Sequence, residues 1–340
     1  MRKLLNTVYI TSENVYLSLD NENLVCKDKD EILLRIPFDN IENIVCFNYK
    51  GCSPALMGKC VANNIPINFI SPQGKFLAKI YGETKGNVFL RVSQIDVFRE
   101  KNLEIAKNSM IAKFSNTRQV IRRSLHDNYE LRYIDDIKKS MDIIKDCIYK
   151  VDKEETLESL LGIEGYCAEC YFSIFHYLLK NNEFSSNFKR RSKRPPLDPV
   201  NAMLSFVYTM LTNECASGLE TVGLDSYIGF YHKLKSGRSS LACDMVEEFR
   251  CIAERFVITM INLKIITKKD FIYEVSGAVY LNSEGRKKVL QKWQEKKRST
   301  IKHSYINQKV PIGLLPYVQS NLLAKFIRGD IDIYPPFLLK

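Results

Sequence analysis

The sequence predicts an α+β protein in which a small N-terminal β domain, residues 1–95, precedes a larger, all-helical C-terminal domain, residues 96–340. The first part contains short runs rich in β-branched and aromatic residues, interrupted by Asn, Asp, Gly and Pro, which is typical of strands and turns. The second part consists of long segments with the periodicity of amphipathic helices. The 340 residues are 45% hydrophobic and 26% charged, which is enough apolar material for two folded domains.

The N-terminal part is predicted to be mostly strands. We expect strands within residues 7–19, 31–37, 41–47, 65–70 and 76–81, with one helix at 53–63. This part contains no histidine and no prominent acidic pair. We therefore expect the chemistry to lie in the helical part, where helices are predicted at 103–124, 133–150, 157–181, 199–216, 241–263 and 283–297.

Composition excludes several classes of protein. No apolar run approaches the roughly 20 residues that span a bilayer. The N-terminus alternates like a strand and lacks the apolar core of a signal peptide, so we expect a cytoplasmic protein with no membrane partner. Ten cysteines are scattered singly except for Cys167 and Cys170, and no second pair completes a zinc site. We expect them to be buried, reduced thiols.

The net charge of +11 points to a polyanionic partner. Basic residues concentrate in residues 286–302 and in a second cluster, which we favour for DNA binding, formed by Lys189, Arg190, Arg191, Lys193 and Arg194. Such clusters bind phosphate backbones without reading sequence. The alternative is a solvated basic face that only keeps the protein soluble, and composition does not separate the two. An anionic membrane is less favoured because no bulky apolar face adjoins the clusters.

The segment from 223 to 255 contains half of a candidate metal site. A helical stripe of apolar residues predicts one buried face, formed by Leu241, Met245, Phe249, Ile252, Phe256 and Met260. Asp244 and Glu247 lie off this stripe and on one side of the helix, since they are three residues apart. His232 precedes the helix, so an imidazole and two carboxylates could hold a divalent cation. The alternative is a packed histidine beside solvated acidic residues.

Glu164 supplies the other half. It lies on the predicted helix 157–181, at a position where the apolar stripe requires a hydrophobic residue; that stripe is Leu157, Leu161, Ala168, Phe172, Phe175 and Leu179. A carboxylate in a core needs a compensating partner. Two partners are open: a buried arginine, or a metal ion shared with His232 and Glu247. The adjacent Gly165 lacks a side chain, which suggests that another group approaches closely there.

These residues belong to motifs that together resemble one known family, the integrases of CRISPR adaptation, or Cas-one family. The motifs are Glu164-Gly165 with Ala168, Pro195-Pro196, Asp198-Pro199-Val200-Asn201, His232, and Leu241-x-x-Asp244-x-x-Glu247-x-Phe249-Arg250. The opening Met1–Thr7 and the segment Gly86–Gln94 resemble most of all the type I-C branch.

The resemblance implies a function and partners. Members have an N-terminal β domain and a C-terminal helical domain, and they form homodimers that a small second CRISPR-associated protein bridges in pairs. The complex inserts short DNA duplexes into the CRISPR repeat array by attack of 3′-hydroxyls on repeat phosphodiesters, using Mg²⁺ or Mn²⁺. In this sequence the implied metal ligands are Glu164, His232 and Glu247, and Asp244 matches an acidic position that supports the catalytic site.

Two other functions remain open at this stage. A structure-selective DNA endonuclease would use the same metal site with water in place of the 3′-hydroxyl. A non-catalytic DNA-binding scaffold would use the acidic residues only in salt bridges.

Overall fold

The computed structural model describes residues 6–29, 31–71, 76–82, 88–127 and 133–339. The N-terminal part contains strands and one helix: β1 (Thr7–Ile10), β2 (Tyr16–Asp20), β3 (Asn23–Asp28), β4 (Glu31–Pro37), β5 (Asn43–Cys46), α1 (Pro54–Ala62), β6 (Ile67–Ile70) and β7 (Phe76–Ile80). They form one sheet of order β1-β5-β6-β7, parallel except for the β6–β7 pair, and an antiparallel sheet of order β2-β3-β4.

The N-terminal core lies between these elements. Its buried residues include Leu17, Leu24, Ile44, Leu56 and Ile67. Ser53 caps α1, because its hydroxyl accepts a hydrogen bond from the Leu56 N–H (3.2 Å), and Pro54 occupies the first helical position, where its missing N–H costs nothing.

The rest of the described chain is mostly helical. Its helices are α2 (Val88–Glu100), α3 (Asn102–His126), α4 (Ile134–Lys153), α5 (Leu157–Ile174), α6 (Asn182–Ser185), α7 (Pro199–Thr221), α8 (Ser240–Asn262), α9 (Ser283–Arg298) and α10 (Leu315–Arg328). Two antiparallel ribbons accompany them, β8 (Phe271–Tyr273) with β9 (Val279–Leu281), and β10 (Thr300–Lys302) with β11 (Lys309–Pro311).

Helix α8 is the centre of this part, packed between α3 and α7. The predicted stripe from Leu241 to Met260 is buried, which confirms that face of the helix. Most of the remaining surface of the helix is buried as well, and Asp244, Glu247, Glu248 and Glu254 are all withdrawn from solvent. The interpretation of Asp244 and Glu247 as solvated acidic residues is therefore wrong.

The α+β fold class is confirmed, with several differences in detail. The strand-like run 7–19 is two strands, and β3, α2, α6 and α10 were not predicted. The C-terminal part is mostly but not all helical, because it contains the ribbons β8–β9 and β10–β11. Helix α5 ends at Ile174, followed by a 3-10 turn at Phe175–Leu178, so the predicted helix 157–181 is too long. Helix α2 runs across residue 95, and the division into domains 1–95 and 96–340 stays a prediction.

No helix in the described ranges is long and apolar enough to cross a membrane. All ten cysteines are free, and eight of them are buried, which confirms the expectation of reduced thiols.

The C-terminal segment, residues 329–339, is fastened to α8 through Glu248. The Glu248 carboxylate accepts hydrogen bonds from the Phe337 N–H (2.8 Å), the Tyr334 hydroxyl (2.7 Å) and the Gln319 amide (2.9 Å). Asn116 of α3 donates to the carbonyl oxygens of Glu248 and Phe337. The segment therefore helps to hold α3 and α8 in register.

We expect Tyr334→Phe to lower the free energy of unfolding by about 2 kcal/mol, because a buried carboxylate loses one of its donors. Urea denaturation measures the change. Tyr317→Phe, at an exposed tyrosine of α10, is the matched control and should be nearly neutral. Equal effects of the two substitutions would contradict this role of the Tyr334 hydroxyl.

Candidate active site

Asp244, in the second turn of α8, organises the loop that carries His232. Its carboxylate accepts the backbone N–H groups of Phe230 (2.6 Å), Tyr231 (3.0 Å) and His232 (2.9 Å). A side chain on Gly229 would meet Ser240 and the Asp244 carboxylate at 2.7 to 2.8 Å, so this loop lies closely against the start of the helix. Asp244 is therefore a positioning residue.

The same carboxylate fixes the imidazole of His232. Asp244 Oδ1 lies 2.6 Å from His232 Nδ1. An Nδ1–H donated to a carboxylate leaves the lone pair on Nε2, which is the arrangement that orients histidine for binding a metal. The His232 side chain remains 25% exposed, so the ring is held but accessible.

Glu247 is the most deeply buried acidic residue of the site, with a side chain only 3% exposed. Arg250, one turn later on α8, binds both of its oxygens at 2.7 and 2.8 Å. Lys113 of α3 lies 2.7 Å from the same carboxylate. Burial by itself would raise the pKa of Glu247, but Arg250 and Lys113 more than offset it and hold that pKa below its ordinary value. Glu247 is therefore ionised at neutral pH.

Lys113 also forms an ion pair with Glu164, so a single ammonium group joins α5 to α8. Its side chain is 11% exposed. Burial acts to lower the pKa of Lys113, but Glu247 and Glu164 outweigh it and raise the pKa. The lysine is charged, and the two carboxylates converge on one cation.

Glu164 is placed differently from the expectation in two respects. The buried face of α5 is formed by Leu160, Cys167, Tyr171 and Ile174, whereas Leu161 is exposed; the stripe predicted through Leu157 and Leu161 is wrong by about one residue. Glu164 lies on the true buried face, with 26% of its side chain exposed. Its compensating partner is a lysine and not the arginine considered from the sequence.

The close approach expected at Gly165 is not made by the described chain. A Cβ atom added at residue 165 would have no neighbouring atom of the described chain within 4 Å. That face of α5 is open.

The donor set fits a divalent cation, provided that the Lys113 ammonium gives up its position. Two carboxylates and a carboxylate-oriented imidazole are suitable ligands for Mg²⁺ or Mn²⁺. Within the described ranges, however, no three His, Cys, Asp or Glu side chains are gathered closely enough to hold a metal. The position between Glu164 and Glu247 is taken by the Lys113 ammonium, which a metal ion would have to displace.

A cavity of about 480 Å³ opens beside this position. Lys113, Glu164 and Arg250 line it, together with basic residues from the loop after α6: Lys189, Arg190, Arg191 and Lys193. The loop is not helical, as the sequence predicts. Asn201 of α7 holds it in place by donating to the Arg190 carbonyl oxygen at 2.8 Å.

The proposed DNA-binding cluster is only partly free to bind phosphate. Lys189, Arg190, Lys193 and Arg194 are exposed. Arg191 is turned inward, where it donates to Asn201 Oδ1 (2.7 Å) and Ser205 Oγ (3.1 Å) and lies over the Tyr208 ring. Its assignment as a surface phosphate ligand is therefore not supported by its position.

Three basic residues of the second basic segment, residues 286–302, are engaged in contacts within the fold. Lys297 is buried and lies 2.9 Å from Glu214, and Arg286 is buried with a hydrogen bond to the Leu281 carbonyl oxygen. Lys288 pairs with Asp270 at 2.6 Å. Fewer charges remain for a polyanion here than the sequence suggests.

Lys113 is the residue of the candidate site that sequence reasoning missed. Its neighbours Met110, Ala112, Phe114 and Thr117 are buried, so a lysine within this stretch of α3 was a detectable anomaly. Its contact with Glu164 and Glu247 depends on the packing of three helices and has no signal in the spacing of residues.

The family model described as CRISPR associated protein Cas1 matches residues 8–295. The chain is 38% identical over 341 residues to "CRISPR-associated endonuclease Cas1 1" of Chlorobaculum tepidum, with 99% of each chain covered. The chain belongs to the Cas1 family.

Two solved structures have the same fold as this Cas1 family member. One is a casposase bound to integration product, with a TM-score of 0.85, 21% identity, and coverage of 97% of this chain and 93% of that chain. The other is a chain of a Cas6-RT-Cas1–Cas2 complex, with a TM-score of 0.81, 22% identity, and coverage of 97% of this chain and 36% of that chain.

The role of Asp244 can be tested without DNA. We expect Asp244→Asn to lower the free energy of unfolding by about 3 kcal/mol, because the new amide group faces N–H donors that the carboxylate accepted. Thermal and urea unfolding measure this. Asp135→Asn, at an exposed position in the first turn of α4, is the control. A loss no larger than in the control would show that Asp244 does not hold the His232 loop.

Proposed function

We propose that this protein is a metal-dependent DNA integrase that inserts short duplexes into a CRISPR repeat array by attack of 3′-hydroxyls on phosphodiesters. One observation carries the proposal: in a chain of the Cas1 family, Glu164 and Glu247 converge on a single cation beside an oriented imidazole. The likeness in fold to a casposase bound to integration product supports strand transfer over other phosphodiester chemistry.

The chain's own residues have separate roles in this proposal. Glu164, His232 and Glu247 would hold Mg²⁺ or Mn²⁺. Asp244 keeps the His232 ring in place and makes Nε2 the ligand nitrogen. Arg250 keeps Glu247 ionised and fixed by its two hydrogen bonds, so that a ligand oxygen is available without a conformational search.

When bound, the divalent cation supplies polarisation of a phosphoryl oxygen and orientation of the attacking hydroxyl. Transesterification at phosphorus requires little else from the protein than positioning and neutralisation of charge. The exposed basic residues Lys189, Arg190, Lys193 and Arg194 would hold the double-stranded DNA, both the duplex to be inserted and the repeat, by its phosphates.

The assembly is part of the proposal. Residues 1–95 would serve dimerisation and docking, and residues 96–340 would hold the catalytic site. A small second CRISPR-associated protein would bridge two homodimers, which the likeness to a chain of a Cas6-RT-Cas1–Cas2 complex supports. We assign the protein to the type I-C branch on its motifs; residues 1–5 and 86–87 of those motifs lie outside the described residues.

A structure-selective endonuclease is the second candidate. The name of the Chlorobaculum tepidum relative, an endonuclease, favours it. The same site would then direct water to the phosphodiester. The ratio of joined to hydrolysed product distinguishes the two reactions.

The site assignment predicts loss of reaction without loss of DNA binding. Glu164→Gln, Glu247→Gln and His232→Ala should each reduce joining of a labelled duplex to a supercoiled repeat plasmid by about a hundredfold or more, because each removes a metal ligand. The control is Glu158→Gln, at an exposed glutamate of the same helix as Glu164. Wild-type joining by His232→Ala would refute the assignment, and a wild-type protein that neither joins nor cuts DNA with Mg²⁺ or Mn²⁺ would favour the scaffold.

The basic loop predicts a change in salt dependence. Replacing Lys189, Arg190 and Arg194 with Gln should make the slope of log affinity against log salt shallower by roughly three, equally for duplexes of unrelated sequence. The matched control replaces three exposed lysines of α4, Lys138, Lys139 and Lys145. Identical slopes for the two triple variants would show that the loop is a solvated surface without a role in DNA binding.

A further inference from the structure

The Lys113 ammonium occupies the point on which the two candidate metal ligands converge. It forms ion pairs with Glu164 and Glu247, which lie on different helices. Only 11% of its side chain is exposed, so water does not replace these contacts. The position suits a cation, and in this structure the protein provides that cation itself.

The charges of the four side chains that meet at this point balance. Glu164 and Glu247 contribute two negative charges, and Lys113 and Arg250 contribute two positive charges. A divalent cation added to this group would leave an excess of positive charge in a partly buried place, where repulsion is weakly screened. One of the two basic side chains must therefore withdraw before a metal ion binds.

Arg250 is the less able of the two to move. It holds both oxygens of Glu247, and its guanidinium lies 4.6 Å from the centre of the Tyr208 ring. A planar guanidinium that is fixed by two hydrogen bonds and an aromatic ring loses more interaction free energy when it moves than an ammonium on a flexible side chain does.

Lys113 has space into which it can move. Its side chain lines the cavity of about 480 Å³ beside the site, which the basic residues of the loop after α6 and the acidic residues Glu169 and Glu254 also line. A rotation about the side-chain bonds of the lysine would take the ammonium out from between the carboxylates without moving α3.

We propose that Lys113 is a stand-in for the metal ion: it holds Glu164 and Glu247 together in the metal-free protein and is displaced into the adjoining cavity when the metal binds. The inference rests on the proposed metal site. Lys113 acts as a positioning residue, since it preserves the spacing of the ligands while competing for their place. The site then binds the metal ion more weakly than the same ligands would without Lys113. In the metal-free protein, the ammonium keeps the Glu164 and Glu247 carboxylates from moving apart by mutual repulsion.

Calorimetric titration of the wild-type protein and Lys113→Met with Mn²⁺ alone tests the competition. Without the ammonium, Mn²⁺ should bind more tightly by about tenfold or more. The melting temperature of the metal-free variant should be lower, and its rise on adding Mn²⁺ larger, than in the wild type. Lys107→Met is the matched control on the same helix, because the Lys107 ammonium donates to the Asp152 carbonyl oxygen and not to a carboxylate of the site, and it should bind Mn²⁺ like the wild type.

Equal or weaker Mn²⁺ binding by Lys113→Met overturns the inference and leaves the metal site in place. Absence of Mn²⁺ binding by both proteins overturns the inference and the metal site together. The two failures are therefore distinguishable.

Amine labelling of the unsubstituted protein gives a second test, which applies even if Lys113→Met does not fold. Mass spectrometry after reductive methylation should show little modification of Lys113 without metal, and several-fold more with saturating Mn²⁺, relative to Lys107. Labelling of Lys113 that is unchanged or reduced by Mn²⁺ overturns the displacement.

Discussion

The helical part of this protein depends on one constraint: α8 is buried over most of its surface, yet it carries four acidic residues that must be stabilised away from water. Each has a partner in a different element. Asp244 binds the loop of His232, Glu247 binds Arg250 and Lys113 of α3, Glu248 binds the C-terminal segment, and Glu254 accepts the Tyr208 hydroxyl of α7 at 2.7 Å. Because an uncompensated buried carboxylate costs several kcal/mol, these partners determine how the surrounding helices pack.

The environments of these carboxylates differ, and that difference marks the candidate site. Burial raises the pKa of Glu248 to about 7 despite its hydrogen bonds, and burial also raises the pKa of Glu254, whose neighbours include a tyrosine hydroxyl. Glu247 is buried to a similar degree, but two cations keep it ionised. Of these three glutamates, Glu247 is the one that shares Lys113 with Glu164, and it is also the one that stays ionised and can therefore act as a charged ligand.

The basic residues divide in a similar way. Arg191, Arg286 and Lys297 are used inside the fold, where they bind backbone and side-chain oxygens. Lys189, Arg190, Lys193 and Arg194 remain at the surface, and the first three line the cavity beside the carboxylates. The basic side chains available to a polyanion are therefore fewer than the 50 lysines and arginines of the sequence, and one group of them lies next to the candidate site.

The amino-acid sequence by itself determined the α+β class and located the strands β4 and β7 to within a residue. It also located both ends of α1 and α8 to within a residue, and the first residue of α7. The motif residues Glu164, His232, Asp244 and Glu247 were identified from the sequence as well. These depend on local periodicity, capping and motif spacing, which a linear sequence records. Only the tertiary structure decided that the four acidic residues of α8 are buried, that Arg191 points inward, and that Lys113 lies between Glu164 and Glu247. Those facts arise where α3, α5, α7 and α8 meet, because the partner of a buried charge is chosen by which helices pack together and not by its distance along the chain.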